Sequence, residues 1–316
     1  MAILQAGMEK SGNYWLYKLL QSALHHSGRS TSTYIQTQPI YPLAQTWQLS
    51  YAEQAQTDVL DIEAAGLFHR IGAIYRMPVL DLEAYLAHAA HVWTHSDYCA
   101  RCDAVLPRFD KIVYLVRDPR DVALSMARFQ FTPYMQAHYP TTLPTPEAYF
   151  QASFRKYLLR WGRHVGGYLQ HTTAQHIYVL FYERLLADTE GELRALLTYL
   201  DLTPTPALLS AIQADTAFTA MQSANPEHVQ QGRAAQWVAS LTPAQHAQTN
   251  ALIGKLLTLL NYPLTMAEAG QQLPALPAPL DLAALAAALA PPAPTVRQRL
   301  KGWVKAVITS TQSDSA

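Results

Sequence analysis

The run KIVYLV, Lys111 to Val116, is β-branched and aromatic with no polar break after its first residue. A strand buried on both faces reads this way, and such strands belong to sheets that carry helices on either side. At RDPRD the run stops, and the chain resumes as DVALSMARF, apolar at helical spacing, with Asp121 as the expected cap. The start of the chain follows the same pattern. AILQA suits a short buried strand, and YWLYKLLQSAL places Trp15, Leu16, Leu19, Leu20 and Ala23 at helical spacing. HVWTHSD reads as a strand ending near His95, and HIYVLFYE, His176 to Glu183, as another buried strand. Helices are expected in LDLEAYLAHAA, EAYFQASFRKYLLRWGRHVGGYL, ERLLADTEGELRALLTYLDL and TPAQHAQTNALIGKLLTLL, the last opened by Thr242 and Pro243. Strands alternating with helices predict an α/β fold, a three-layer α/β/α sandwich with a central parallel sheet.

With 316 residues, 50% of them apolar, the chain has enough core for one large α/β domain or two small ones. The polar segment from His26 to Leu67 reads as loops with short helices, and PTTLPTPEAY as a Pro-rich loop. Beyond Met266 the composition shifts to Ala, Pro and Leu. Residues 1–266 are therefore the expected domain, and 267–316 a linker and tail with one short helix in LDLAALAAALA. The tail ends in VRQRLKGWVKAVI, a basic amphipathic stretch read as a solvated terminal helix.

Lysine plus arginine and aspartate plus glutamate number 23 each, so no global field recruits nucleic acid or an anionic membrane, and any anion site must be local. Cys99 and Cys102, spaced C-A-R-C, lack the second ligand pair that zinc needs and read as reduced thiols, with a redox pair as the alternative. No metal site is expected. MAILQAG lacks a basic leader, and no apolar run reaches the length of a membrane span, so the expected location is cytoplasmic, without stable membrane insertion. The pattern favours no oligomeric state.

In open parallel sheets, ligands bind at the carboxyl ends of strands. Four strand ends here carry chemistry: Lys10, Ser11 and Gly12; Thr94 and His95; Arg117; and Tyr182 with Glu183. The first turn has the physics of a phosphate cradle. Gly12 permits close backbone approach, the following helix points free N–H groups at an anion, and Lys10 adds a charge. It is not a Walker A loop, in which lysine follows the second glycine. In the third turn Arg117 follows the strand directly and Ser125 sits two turns into the helix, so a guanidinium fork and a hydroxyl can converge on one phosphate. The bland alternative makes Lys10 a surface residue and pairs Arg117 with Asp118 or Asp121.

EKSGNYW resembles the PKSGTTW loop of sulfotransferases that use 3′-phosphoadenosine 5′-phosphosulfate, and YLVRDPRDVALS resembles their second signature closely. THS at Thr94 to Ser96 is similar to the segment bearing their catalytic histidine, VLFYERLLAD to their YEDLL region, and GRAAQWVASLTPAQ to what remains of their third motif. The resemblance spans about Met1 to Tyr262. It implies a P-loop-like fold in which Lys10, Ser11, Gly12, Asn13 and Tyr14 surround the 5′-phosphate. Trp15 would lie against the adenine, and Tyr182 would help hold the base. Arg117 and Ser125 would take the 3′-phosphate, with Gly232 nearby, and His95 would be the catalytic base. Among 12 histidines, His95 stands out by its strand-end position and this match.

Several residues depart from the family pattern. Asn13 and Tyr14 replace two threonines, and Glu9 replaces a proline and brings a negative charge to the anion site. Gln230, Gln231 and Gly232 stand where the family carries Arg-Lys-Gly, so two cations are missing, and Arg233 is the candidate to restore one. The implied reaction moves a sulfonate to an acceptor hydroxyl or amine, with His95 taking the proton and Lys10 stabilising charge on the leaving phosphate. The acceptor is expected to be a small molecule, glycan or lipid. Tyr34, Tyr41, Trp47 and Tyr51 either line its pocket or anchor loops to the core. A P-loop small-molecule kinase and a catalytically weak nucleotide-binding protein of the same fold are the competing readings.

Overall fold

The computed structural model describes residues 1–225 and 232–290. Seven strands form one sheet: β1 (Ile3–Gly7), β2 (Asp58–Glu63), β3 (Gly66–Ile71), β4 (Tyr75–Pro78), β5 (His91–Thr94), β6 (Lys111–Val116) and β7 (Ile177–Phe181). Their order is β4-β3-β2-β5-β1-β6-β7. β2, β5, β1, β6 and β7 are parallel, and β3 and β4 extend the sheet antiparallel. Ala6 lies opposite both Thr94 and Tyr114, and Val116 opposite Phe181. The four chemically loaded strand ends are therefore neighbours, level with one another along one rim.

Alternation along the strands supplies both faces of the core. Ile3, Val113, Leu115 and Leu180 pack against Leu16, Leu19 and Leu20 of the helix Asn13–His26 and Leu193, Leu196 and Leu197 of the helix Thr189–Tyr199. Leu4, Ala6, Ile112, Tyr114 and Val116 face the other way. They meet the helices Pro119–Phe129, Pro146–Leu169 and Pro243–Leu259 through Val122, Phe154, Leu158, Trp161 and Leu257. This is the expected three-layer sandwich. Truncating a fully buried leucine such as Leu20 to alanine costs about 2–5 kcal/mol.

Several local expectations are corrected. The segment 26–67 holds β2 and the start of β3 besides its short helices. Its strand was hidden because DVLDIE carries two carboxylates in structural roles. Asp58 is fully buried and accepts the amides of Tyr34 at 2.6 Å and Ile35 at 3.0 Å, and burial pushes its pKa up to about 7. Asp61 pairs with Arg70 at 2.9 Å. The cap of the helix Pro119–Phe129 is Asp118, not Asp121, because Pro119 takes the first helical position and Asp118 accepts the Arg120 amide at 2.9 Å. Asp121 instead accepts the Trp237 amide at 3.0 Å. The helix expected across ERLLADTEGELRALLTYLDL is two, Tyr182–Ala187 and Thr189–Tyr199, divided at Asp188, which caps the second through the Gly191 amide. LDLEAYLAHAA is helical only over Leu82–Leu86.

Thr242 and Gln245 form a reciprocal capping box on the helix Pro243–Leu259. In the Ala/Pro-rich segment Leu282–Leu289 is helical, and Leu285 is fully buried in the same cluster as Trp161 and Leu257. The basic stretch Val296–Ile308 and Gln230 and Gln231 lie outside the described residues. Among the described residues no helix is long and apolar enough to cross a membrane.

Candidate active site

The loop from Met8 to Gly12 joins β1 to the helix Asn13–His26. Lys10 and Gly12 both have positive φ, 65° and 98°. Gly12 is required twice over: its φ disfavours a side chain, and a Cβ there would stand 2.5 Å from Cδ2 of Tyr182. Asn13 is buried and turns inward, its amide donating to the Met8 carbonyl at 2.7 Å while Gln5 donates to its own carbonyl at 2.7 Å. The Ser11 amide also donates to Met8, at 3.2 Å, and Ser11 lies buried at the base of the turn. The Tyr14 hydroxyl donates to Glu53 at 3.1 Å and accepts from Asn225 at 2.7 Å. Asn13 thus braces the loop, and Tyr14 fixes the first helical turn to two distant segments.

Three cations gather beside this loop. Arg117 donates to the Lys10 carbonyl at 3.0 Å and to the Arg233 carbonyl at 2.9 Å, and its guanidinium lies 4.2 Å from the Tyr182 ring centre. Its Nε is buried without a partner. Arg128, one helical turn beyond Ser125, donates to Gln236 at 3.0 Å and likewise has an unpartnered buried Nε. Lys10 Nζ sits over the Phe129 ring at 4.1 Å. Burial, with repulsion from Arg117 and Arg128, pulls the Lys10 pKa down to about 7. Asp118 forks onto Arg120 at 2.9 and 2.6 Å, and Asp121, which accepts from the Trp237 backbone, is the nearby carboxylate whose charge acts on Arg117 and Arg128 without a direct ion pair. The two arginines of RDPRD therefore diverge. Arg117 faces the site, and Arg120 enters the core, 3.5 Å from the Trp237 ring and donating to the Pro263 carbonyl at 2.8 Å.

His95 follows β5. Its Nδ1 is 2.6 Å from the Gly7 carbonyl, which can only accept, so Nδ1 carries the proton and Nε2 holds the lone pair. Burial lowers its pKa, and the Glu9 carboxylate partly offsets this. Glu9 is itself paired with Arg160 at 2.8 Å. The proline-to-glutamate departure thus brings no net charge to the anion site.

One cavity of about 560 Å³ is lined by Lys10, Gly12, Asn13, Tyr14, Trp15, His95, Arg117, Ser125, Arg128, Tyr182 and Gly232. Trp15 and Tyr182 meet edge to face with centres 5.9 Å apart. Toward His95 the wall is aromatic, with Trp93 against His95 and Tyr51 against Trp93, and Arg70 is neutralised there by Asp61; Tyr134, Met135 and Phe218 add further apolar lining, Phe218 beside Gly232. Of the four aromatics named from the polar segment only Tyr51 is among the lining residues; Tyr34, Tyr41 and Trp47 pack into other clusters. Arg233 is exposed, and its backbone carbonyl is what the site uses. Sequence reasoning missed Arg128, Gln236 and Arg160. The one available signal was that Arg128 lies three residues past Ser125, on the same helix face.

The half-buried strand-end histidine beside a cation-lined cavity on a parallel sheet defines a group-transferring enzyme for an anionic donor. The profile of the family described as sulfotransferase domain matches residues 2–260, and the chain belongs to that family of sulfonate-transferring enzymes. Its structure is similar to mouse sulfotransferase SULT7A1 complexed with PAP, at 19% identity and a TM-score of 0.51, over 78% of this chain and 80% of that one. It is also similar to retinol dehydratase in complex with retinol and PAP, at 17% identity and a TM-score of 0.52, over 79% of each chain. At such identities the likeness carries the fold. No curated protein matches the chain.

Proposed function

We propose that this protein takes its sulfonate from 3′-phosphoadenosine 5′-phosphosulfate and delivers it to a hydroxyl on a largely apolar small molecule, with His95 as general base. The observation that carries this reading is the polarity of the cavity. Lys10, Arg117 and Arg128 crowd one end with no carboxylate ion pair among the described residues, whereas Arg70 and Glu9 at the other end are each neutralised. Cations held together against their own repulsion suit a ligand with several negative charges.

When bound, the nucleotide supplies an activated sulfonate joined to its 5′-phosphate. The loop of Lys10 to Asn13 would hold that phosphate, with Lys10 balancing charge that grows on it. Trp15 and Tyr182 present ring surfaces for the base, and Ser125 and Arg117 would face the 3′-phosphate. At the far end His95 Nε2 accepts the proton of the acceptor hydroxyl, while Nδ1 keeps the ring oriented through Gly7. The aromatic and methionine walls favour an acceptor with a flat or extended apolar body over a sugar. The sequence carries two cysteines and no disulfide framework, which fits a cytoplasmic setting.

The test is calorimetric titration with 3′-phosphoadenosine 5′-phosphate and with ATP plus Mg²⁺, followed by an acceptor screen with labelled donor read by mass spectrometry. Binding of the bisphosphate and transfer of label support the reading. Binding of ATP alone, or no binding of either, overturns it.

A further inference from the structure

Sequence comparison leaves the 3′-phosphate short of the two cations that Gln230 and Gln231 replace. A candidate for one replacement charge lies on a different element from the missing pair. Arg128 closes the helix that also carries Ser125, one turn earlier, so both side chains leave the same face and line the same cavity. Its Nη2 is held by Gln236 Oε1 at 3.0 Å. Gln236 Nε2 in turn donates to the Arg233 carbonyl at 3.1 Å, the same oxygen that accepts Arg117 Nη2 at 2.9 Å. A short circuit therefore runs from Arg117 through the Arg233 carbonyl and Gln236 to Arg128. It links two guanidiniums that line the same cavity as Ser125.

From this circuit we infer that Arg128 is a second arginine of the 3′-phosphate site, and that Gln236 is its positioning residue. The inference rests on the donor assignment proposed above. Three observations support it. Arg128 keeps a buried Nε with no protein partner, pointing to an unmet acceptor. Among the described residues no carboxylate forms an ion pair with it. Burial and the nearby Arg117 disfavour its charge, Asp121 offsets only part of this, and an interposed phosphate would offset the rest. The segment that in the family brings cations of its own here serves a different purpose. Its backbone carbonyl aims Arg117, which follows β6, and an amide side chain aims Arg128 of the helix Pro119–Phe129. The Arg233 side chain, exposed in this arrangement, is not needed for the charge balance.

The experiment compares binding of 3′-phosphoadenosine 5′-phosphate with binding of adenosine 5′-phosphate, which lacks only the 3′-phosphate. It uses the full chain and Arg128→Gln, Arg128→Lys and Gln236→Leu. Unmodified protein should prefer the bisphosphate strongly. Arg128→Gln should weaken the bisphosphate about 10- to 100-fold, as loss of a charge-assisted contact does, and leave the monophosphate within twofold. Arg128→Lys should recover part of the loss. Gln236→Leu should show a smaller loss of the same selectivity. Bisphosphate affinity within twofold of wild type in a folded Arg128→Gln protein overturns the inference, as does an equal loss for both nucleotides. If Arg128→Gln does not fold, Arg128→Lys and Gln236→Leu decide on the same selectivity criterion. Absence of preference in the unmodified protein would instead remove the donor assignment itself, and with it the inference.

Discussion

Gly12 and Tyr182 touch so closely that no side chain fits between them: an added Cβ would lie 2.5 Å from Cδ2 and 2.8 Å from Cε2 of the ring. The same ring carries Arg117 on its face and meets Trp15 at its edge. Gly12→Ala should therefore push the ring away from both. The expected result is a loss of nucleotide affinity of roughly tenfold or more, with a stability cost of about 1–3 kcal/mol from the left-handed backbone and the clash. Calorimetry and denaturant melts check the two parts separately.

His95→Ala should lower turnover by about 10²- to 10⁴-fold while 3′-phosphoadenosine 5′-phosphate still binds near wild-type affinity. Retained turnover would remove His95 from the chemistry. Lost binding would recast it as a structural residue.

The acid limb of the rate profile follows from the lowered His95 pKa. A base acts only when unprotonated. Turnover should accordingly hold steady as pH falls through the ordinary histidine range and decline only below it. Glu9→Gln removes a carboxylate that raises the His95 pKa, so it should shift the limb to still lower pH. Movement toward higher pH would contradict the assignment of charges around His95.

Lys10 predicts a proton linkage on binding. With its pKa near 7 in the free protein, Lys10 is charged below that value and largely neutral above it. An anion raises the pKa. At pH 8 nucleotide binding should take up close to one proton, and affinity should fall by up to tenfold per pH unit above 7; below 7 the uptake disappears. Titrations in two buffers of different ionisation heat measure the proton count directly.

Arg120 and Asp118 are almost fully buried and pair at 2.6 Å. Removing one partner strands the other, so Arg120→Met should cost about 3–5 kcal/mol of stability, seen as a lowered denaturant midpoint. A neutral result would mean that water or a shift of Asp118 absorbs the charge.

The site's framework was legible because parallel strands buried on both faces leave unbroken apolar runs, and β1, β5, β6 and β7 each end in residues too polar for a core. KIVYLV coincides with β6 for that reason. The hairpin of β2 and β3 was not legible, because Asp58 and Asp61 occupy strand positions and only folding reveals the amides and the arginine that satisfy them. Asp121 read as a cap because it precedes an apolar run, yet a proline two residues earlier had already set the helix start at Asp118. Arg128 was invisible as a site residue since its partner, Gln236, is remote in sequence and only tertiary structure brings the two together.

The buried Glu183 has its two oxygens shared out, one accepting the Asp118 amide at 2.8 Å and the other the Tyr262 hydroxyl at 3.0 Å. Its first oxygen steadies the corner from which Arg117 departs, so the cation-lined end of the cavity depends on a tyrosine two residues beyond the last residue of the family match. Trimming the chain at residue 260 would preserve every motif by which its kin are known while unfastening the clasp that keeps those motifs aligned.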